Sequence, residues 1–476
     1  MVTMDRKPVT SPAFDEAALQ TFKDALRGQL IRPSDSDYET ARKVHNGMID
    51  KHPALIVRCA DVADVVASVN FAREHDLLLA IRGGGHNGPG LGTCDDGLVI
   101  DLSRMRSVRV DPAARTARVE GGCTLGDVDH ATHAYGLAVP LGIASTTGVG
   151  GLTLGGGMGH LTRPYGLSID NLLEADLVLA DGRIATANAE QHPDLFWAIR
   201  GGGGNFGVVT SFLFRAHPVS TVYAGPMLWH IDQMEDVLRW YNDFEPSSPE
   251  HLNGTLMAMT VPPWAPFPEA LHNLTMCAIV WCWSGPLEQA EAVFAPIRAQ
   301  FGPPALDWVG PMPFPMLQSM FDAVFPAGIL TYWKADFVND LREEAIALYR
   351  EAVDRKPVGL SILGFHPIDG AASRVPNDAS AWSYRDARWT EVISGITLDP
   401  AEQGEAIAWA RESWEALHPY SAGGGYVNMM MEEGGDRIQA AYRDNYDRLA
   451  RIKATYDPNN LFRVNQNIKP SNSLAE

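Results

Sequence analysis

Residues 82–88 read Arg82-Gly83-Gly84-Gly85-His86-Asn87-Gly88, a glycine turn enclosing a histidine, directly behind the apolar run LLLAI. That run is predicted to be a strand ending at Arg82, and the stretch from Asp61 to His75 before it places Val62, Val65, Val66, Val69 and Ala72 at helical spacing. Further out, ALIVRCA and GLVIDL read as strands, and RSVRVD with TARVEGG reads as a hairpin around Asp111-Pro112. The turn therefore leaves a strand within a run of alternating elements.

Two more glycine-rich segments follow, Gly142 to Gly159 and Arg200 to Gly207. Between them, Leu125 to Tyr135 is predicted to be helical up to Gly136, LLEADLVLADGRIATAN reads as strand, Asp-Gly turn, strand, and the helical DLFWAI precedes the strand VVTSFLFRA. Glycine lets backbone N–H groups approach a pyrophosphate closely, so such turns can form an anion-binding nest. A single turn reads equally well as a tight corner. Three of them, with His86 inside the first, point to a bound group that the histidine would meet. The GGGNFG of Gly202 to Gly207 formally matches G-x-G-x-x-G, but that motif needs a strand before it and a helix after it. The order here is reversed, which excludes the nicotinamide reading.

After Pro218 the glycine clusters end and Trp and Met become frequent. Strands such as MCAIVWCW and GLSILGF alternate with helical LEQAEAVFAPIRAQF and DLREEAIALYREAV, as in a second, α+β domain. Asp436 to Ile452 is expected to be one helix, stopped before Pro458. With 476 residues the chain exceeds the ~250–300 at which single cores stop growing, so at least two domains should share a cleft. A net charge of −20 argues against nucleic acid and anionic membrane surfaces as partners. The N-terminal MVTMDRKPVTSPAF lacks a continuous apolar core, which predicts a cytoplasmic protein. Cys59, Cys94, Cys123, Cys277 and Cys282 are scattered and read as buried free thiols. Asp127, Asp129, His130 and His133 offer metal-type ligands on one helix without a further partner, so no metal is expected; Glu432-Glu433 reads as a solvated loop.

Five stretches together resemble the vanillyl-alcohol oxidase superfamily, in the branch of berberine bridge enzyme and 6-hydroxy-D-nicotine oxidase. They are RGGGHN (Arg82 to Asn87), GVGGLTLGGGMGHLTRPYGLSIDN (Gly148 to Asn171), DLFWAIRGGGGNFGVVT (Asp194 to Thr210), RVPNDASAWSYR (Arg374 to Arg385) and YDPNNLFRVNQNIKP (Tyr456 to Pro470). The resemblance implies an α+β fold: a two-part, PCMH-type FAD-binding domain plus a substrate domain whose antiparallel sheet is covered by helices. The expected division is 1–50 as an N-terminal helical segment on the FAD domain, 51–217 as the FAD-binding domain, 218–435 as the substrate domain, and 436–476 as a C-terminal return. It also implies FAD bonded covalently through His86. Relatives with a second bond carry a cysteine where this chain has Ala144, so a single link is expected. Arg82, Gly83, Gly84, Gly85, Asn87, Thr147, Gly148, Gly150, Gly151, Gly156, Gly159, His160, Val208 and Asn465 fall on the cofactor-binding motifs.

By the same resemblance, the chain is an FAD-dependent oxidoreductase taking a hydride from a small molecule. An alcohol substrate needs a base beside the donor carbon, whereas a neutral amine does not. Sugar-oxidising relatives carry a pattern like Y-x-N-Y; here Tyr426-Val427-Asn428-Met429 keeps the first tyrosine and the asparagine and loses the second tyrosine. That departure favours an apolar or aromatic substrate over a sugar, and Met429, Met430 and Met431 could line its pocket or pack in the core. Tyr426, Asn428, Tyr332 and, after the strand GLSILGF, His366 are the candidates for the chemistry. Thr147 stands where a small residue admits molecular oxygen, which favours an oxidase. The alternatives are a dehydrogenase with another acceptor and a flavin-carrying binding protein without turnover.

Overall fold

Strands Leu55–Arg58 and Leu79–Arg82 both pair in parallel with Leu98–Asp101, because the helix Val62–Glu74 carries the chain back across the sheet between the first two. In this computed structural model, which describes residues 15–357 and 359–471, that sheet gains a fourth, antiparallel strand, Gln29–Ile31. The sequence suggests only helix there, since three residues show no periodicity. Val65, Val69 and Ala72 of the helix are fully buried against Leu55, Leu79 and Leu98. Leu461 and Phe462 of the C-terminal tail complete the same core.

A second, five-stranded antiparallel sheet runs in the order 108–111, 116–120, 208–215, 172–178, 184–188. Its first two strands are the expected hairpin. A third sheet of eight antiparallel strands holds Thr221–His230, Leu252–Thr260, Thr275–Trp283, Ile362–Pro367, Trp389–Thr397 and, along one edge, Leu330–Val338. Helices Met234–Ser247, Glu343–Asp354 and Gln403–Leu417 pack on one face through Tyr241, Tyr349 and Trp409. The other face turns towards the glycine turns, where Phe337 joins the core of the second sheet. Both faces being covered explains why these strands read as continuous apolar runs rather than alternating ones.

Buried ion pairs hold the seam between the halves. Arg385, from RVPNDASAWSYR, meets both oxygens of Asp170 at 2.7 Å with 2% of its side chain exposed. Arg163 bonds Asp369 at 2.9 Å and Glu245 at 2.7 Å, joining the second glycine segment to the third sheet.

Two further expectations change. The helix foreseen over 436–452 is two helices, Gly435–Tyr442 and Tyr446–Tyr456, broken at Arg443, whose φ is 45°. The Arg443 guanidinium lies over the Tyr384 ring at 3.5 Å and bonds Asp386, so the break falls where the chain is pinned to the 374–387 segment. Glu433 is not solvated: its side chain is 5% exposed and pairs with Lys334 at 3.0 Å and Arg437 at 3.2 Å. The ligand-type residues of helix Leu125–His133 are otherwise engaged, Asp127 by Arg106 and Asp129 by Gln318, and no metal-ligating group of three exists among the described residues. All five cysteines are buried and free. No helix among the described residues is long and apolar enough to cross a membrane.

Removing one partner of a buried ion pair strands the other charge, at a cost of about 3–5 kcal/mol. Arg385→Ala should therefore lower the urea midpoint by that free energy without changing the slope; an unaltered midpoint would mean that Asp170 is solvated.

Candidate cofactor and substrate site

The first two glycine turns cross backbone on backbone. A Cβ on Gly84 would stand 2.4 Å from the Gly148 nitrogen, and one on Gly148 would stand 2.3 Å from the Gly84 nitrogen. Only glycine allows this approach from both sides. Neighbouring side chains stiffen the turns: Arg82 is spent on Asp101 at 2.8 Å, pinning parallel strands, and Asn87 Oδ1 accepts the Leu91 N–H at 2.9 Å. Thr147 gives its carbonyl to the Leu125 N–H, and Gly150 packs over the Gly121 carbonyl. Gly156 packs against Trp382, and Gly159 against the Leu141 and Gly142 carbonyls. Val208 is wholly buried in the core of the first sheet.

The third turn joins the second through the Gly201 and Gly203 N–H groups, both donating to the Leu154 carbonyl at 3.1 and 2.9 Å. The C-terminal tail closes it. Asn465 Nδ2 donates to the Gly204 and Phe462 carbonyls at 3.1 and 3.0 Å. A fully buried Lys453–Asp457 pair at 2.6 Å fixes the tail, and Lys453 Nζ also reaches the Asn205 and Phe462 carbonyls.

His86 is half-buried at the crossing, its ring stacked on that of His45 with centroids 3.9 Å apart. Burial, reinforced by His45, holds its pKa down to about 3 against an opposing pull from the Thr146 backbone. The imidazole is neutral at physiological pH.

The face of the third sheet opposite its helices looks towards these turns, with Trp333 against Gly88. Register pairs Met257 with Gly364, Gly364 with Val392 and Val392 with Ala335; beside them run Ile362, Ser394 and Trp333, and then His366, Thr390 and Phe337. Met257, Ile362, His366 and Trp333 are partly open, whereas Leu363, Phe365 and Ile393, which alternate with them, are fully buried against the helices. No residue on these three rungs is a lysine, arginine or carboxylate. His366 and the buried His160, from the second glycine segment, are kept neutral by burial at about 4 and 3, and His366 pushes His160 down further.

Tyr332 points the other way: its hydroxyl accepts from Arg411 Nε at 2.9 Å on the helix side. Tyr426 is buried, with its oxygen accepting from the Gly157 N–H at 3.0 Å and from Asn428 Nδ2 at 2.8 Å. Burial dominates and lifts its pKa to about 12. Asn428 also donates to the Leu152 carbonyl at 3.0 Å, so the pair braces the second glycine segment. Met430 is core, Met429 packs on that core, and Met431 lies beside Gly88.

These residues suit a bound dinucleotide. Gly151 and Gly204 have open space where a Cβ would stand, and the buried Oδ1 atoms of Asn465 and Asn467 lack a protein partner among the described residues. Family profiles agree: one described as "FAD binding domain" matches residues 53–188, and one described as "Berberine and berberine like" matches 425–469. An FAD-linked oxidoreductase of Dictyostelium discoideum is 33% identical across 94% of this chain and 96% of its own length. The chain belongs to the berberine bridge enzyme-like, FAD-linked oxidoreductases. Among other members, (R)-6-hydroxynicotine oxidase of Paenarthrobacter nicotinovorans is 30% identical over 94% of this chain and 98% of its own. The crystal structure of 6-hydroxy-D-nicotine oxidase from Arthrobacter nicotinovorans superposes with a TM-score of 0.84 at 27% identity, covering 94% of this chain and 98% of that one.

Sequence reasoning about this berberine bridge enzyme-like chain missed His45 and the Lys453–Asp457 pair. The i, i+4 spacing of the latter was legible; nothing in the sequence marks His45.

His160, His217 and His366 have folded pKa values of about 3, 4 and 4, each lowered chiefly by burial. The unfolded chain takes up their protons below about pH 6.5, where the folded chain refuses them. Their contribution is whole above that pH and lost as the pH falls towards 4, so the melting midpoint should drop between pH 7 and 4.5. A midpoint that climbs in acid would contradict neutral burial.

Proposed function

We propose that this oxidoreductase carries FAD through one covalent bond to His86 and oxidises a small apolar or aromatic alcohol or amine, with molecular oxygen as acceptor. The observation that carries the reading is a half-buried, neutral His86 in a glycine turn that meets an uncharged sheet face, Trp333 of that face lying against Gly88. A neutral imidazole keeps the lone pair that a covalent bond requires. Ala144 has no sulfur to supply a second bond. The wall of Met257, Ile362, Val392 and Trp333 suits an apolar body, with Met257 able to adapt its shape.

FAD, when bound, supplies the hydride acceptor. The chain's own work is to orient substrate against the sheet and to receive a proton from an alcohol. His366 suits the second role, being neutral, partly open to the cleft and opposite Thr390. Tyr426, held as a hydrogen-bond acceptor and reluctant to ionise, suits bracing instead. Thr147, beside the crossing, carries a small side chain, which supports oxygen as the acceptor.

Acid-precipitated protein should stay yellow and gain the mass of one FAD, and His86→Ala should release the colour. The same preparation, mixed anaerobically with benzyl alcohols, benzylamines, glucose and cellobiose, should bleach with an aromatic compound and recolour within seconds in air. Bleaching by sugars alone would refute the apolar pocket; recolouring over minutes would make the enzyme a dehydrogenase; no bleaching at all would leave a binding protein.

His366→Ala should slow bleaching by alcohols about 10²-fold, the low end for a lost general base, and leave amines unaffected. Equal slowing of both would show that His366 only shapes the pocket.

A further inference from the structure

The tripeptide His45-Asn46-Gly47 belongs to none of the glycine motifs, yet it touches both sides of the cleft. On one side the His45 N–H donates to the Gly85 carbonyl at 3.0 Å, and Asn46 Nδ2 donates to the Gly88 carbonyl at 2.7 Å. On the other, Asn46 brackets the Thr331 backbone, donating to its carbonyl at 2.9 Å and accepting its N–H at 3.1 Å. The Gly47 N–H donates to the Ile329 carbonyl and the Gly328 N–H to the His45 carbonyl, each at 2.8 Å. A Cβ on Gly47 would stand 2.2 Å from the Gly328 oxygen, and Asn46 is 2% exposed. His45 Nε2 lies 3.3 Å from the Phe325 carbonyl, and its ring covers that of His86 at an interplanar angle of 27°.

We propose that His45-Asn46-Gly47 is a clasp that sets the His86 ring for its bond to the flavin and makes that bond wait until the third sheet has docked. The proposal rests on the covalent reading above. Bond formation needs one imidazole nitrogen bearing its proton and the other presenting a lone pair in a fixed direction. The Thr146 backbone beside the ring favours a proton on the nitrogen that faces it. The stacked His45 ring restricts rotation about the remaining axis. His45 is itself anchored to the Phe325–Gly328 loop, and Asn46 to the first residues of the edge strand Leu330–Val338. Without that docking, the His45 backbone keeps its bond to Gly85 but its ring loses the Phe325 anchor that holds it over His86.

In the reaction, one C–H of the flavin 8α methyl group and one imidazole N–H are lost as protons and a C–N bond forms. The two electrons released reduce the flavin ring, and molecular oxygen takes them with two protons to give hydrogen peroxide. His45 exchanges no atoms in this step. It is a positioning residue, and what stacking requires of it is a flat ring.

The test compares wild type with His45→Ala, His45→Leu, His45→Phe and Asn46→Ala. Total flavin is read from the absorbance of the native protein, and the covalent fraction from intact mass and from fluorescence of the denatured band. His45→Ala and His45→Leu should keep their FAD while the covalent fraction falls at least about tenfold; His45→Phe should restore it. Asn46→Ala should behave like His45→Ala. Full covalent attachment in both His45→Ala and His45→Leu would overturn the clasp while leaving the tether intact. Failure of His45→Phe to restore attachment would also overturn it, as would a loss of total flavin parallel to the covalent fraction, since the role would then be merely structural. A wild-type protein with no covalent flavin would remove the tether itself, and the clasp with it.

Discussion

Everything around the cleft depends on one steric constraint, the contact of Gly84 with Gly148. The turn leaving the first sheet and a segment bridged to Thr124, just past the second sheet, meet there with no side chain between them. The first is fixed from behind by the Arg82–Asp101 pair, the second by the Leu125 and Val149 N–H groups, which bond the Thr147 and Cys123 carbonyls. The crossing therefore transmits the position of each sheet to the other. Bare backbone at such a point can approach a phosphate group, and it leaves the adjoining His86 ring, with His45 stacked on it, at the junction.

The distribution of charge follows from the same economy. Arg163, Arg385 and Lys453 are buried, and each is matched by a carboxylate at a seam between segments. The cleft wall holds none, and its histidines are kept neutral by burial. Charges that would be costly inside the cleft thus serve as fasteners around it. The chain's overall charge of −20 is a property of its outside and not of its reactive interior.

Much of this was legible in the sequence because local chemistry decides it. The helix Val62–Glu74, the hairpin at Asp111-Pro112 and the three glycine turns all follow from spacing and from glycine's lack of a Cβ. The wall of the cleft was harder to read. Tyr332 and Trp333 are adjacent in a strand, so they face opposite ways, and the register that chooses between them is set by pairing with 389–397, far along the chain. Glu433 looks like surface until Lys334 and Arg437 are brought beside it. Arg82 falls on a cofactor-binding motif, and only the fold shows that its guanidinium also pairs with Asp101 on the next parallel strand. His45 carries no local signal, since its partner lies across a turn and its anchor lies some 280 residues further on. In each case the missing information was a contact distant in sequence rather than a local preference.

The Lys453–Asp457 pair also bears on the order in which the bed is completed. It closes the third glycine turn with a residue 248 positions further along the chain, and Asn465 adds a bond at a separation of 261. Contacts of such high sequence separation form late in folding, so the sheets that carry the first two turns can take shape while the bed beneath the third is still open.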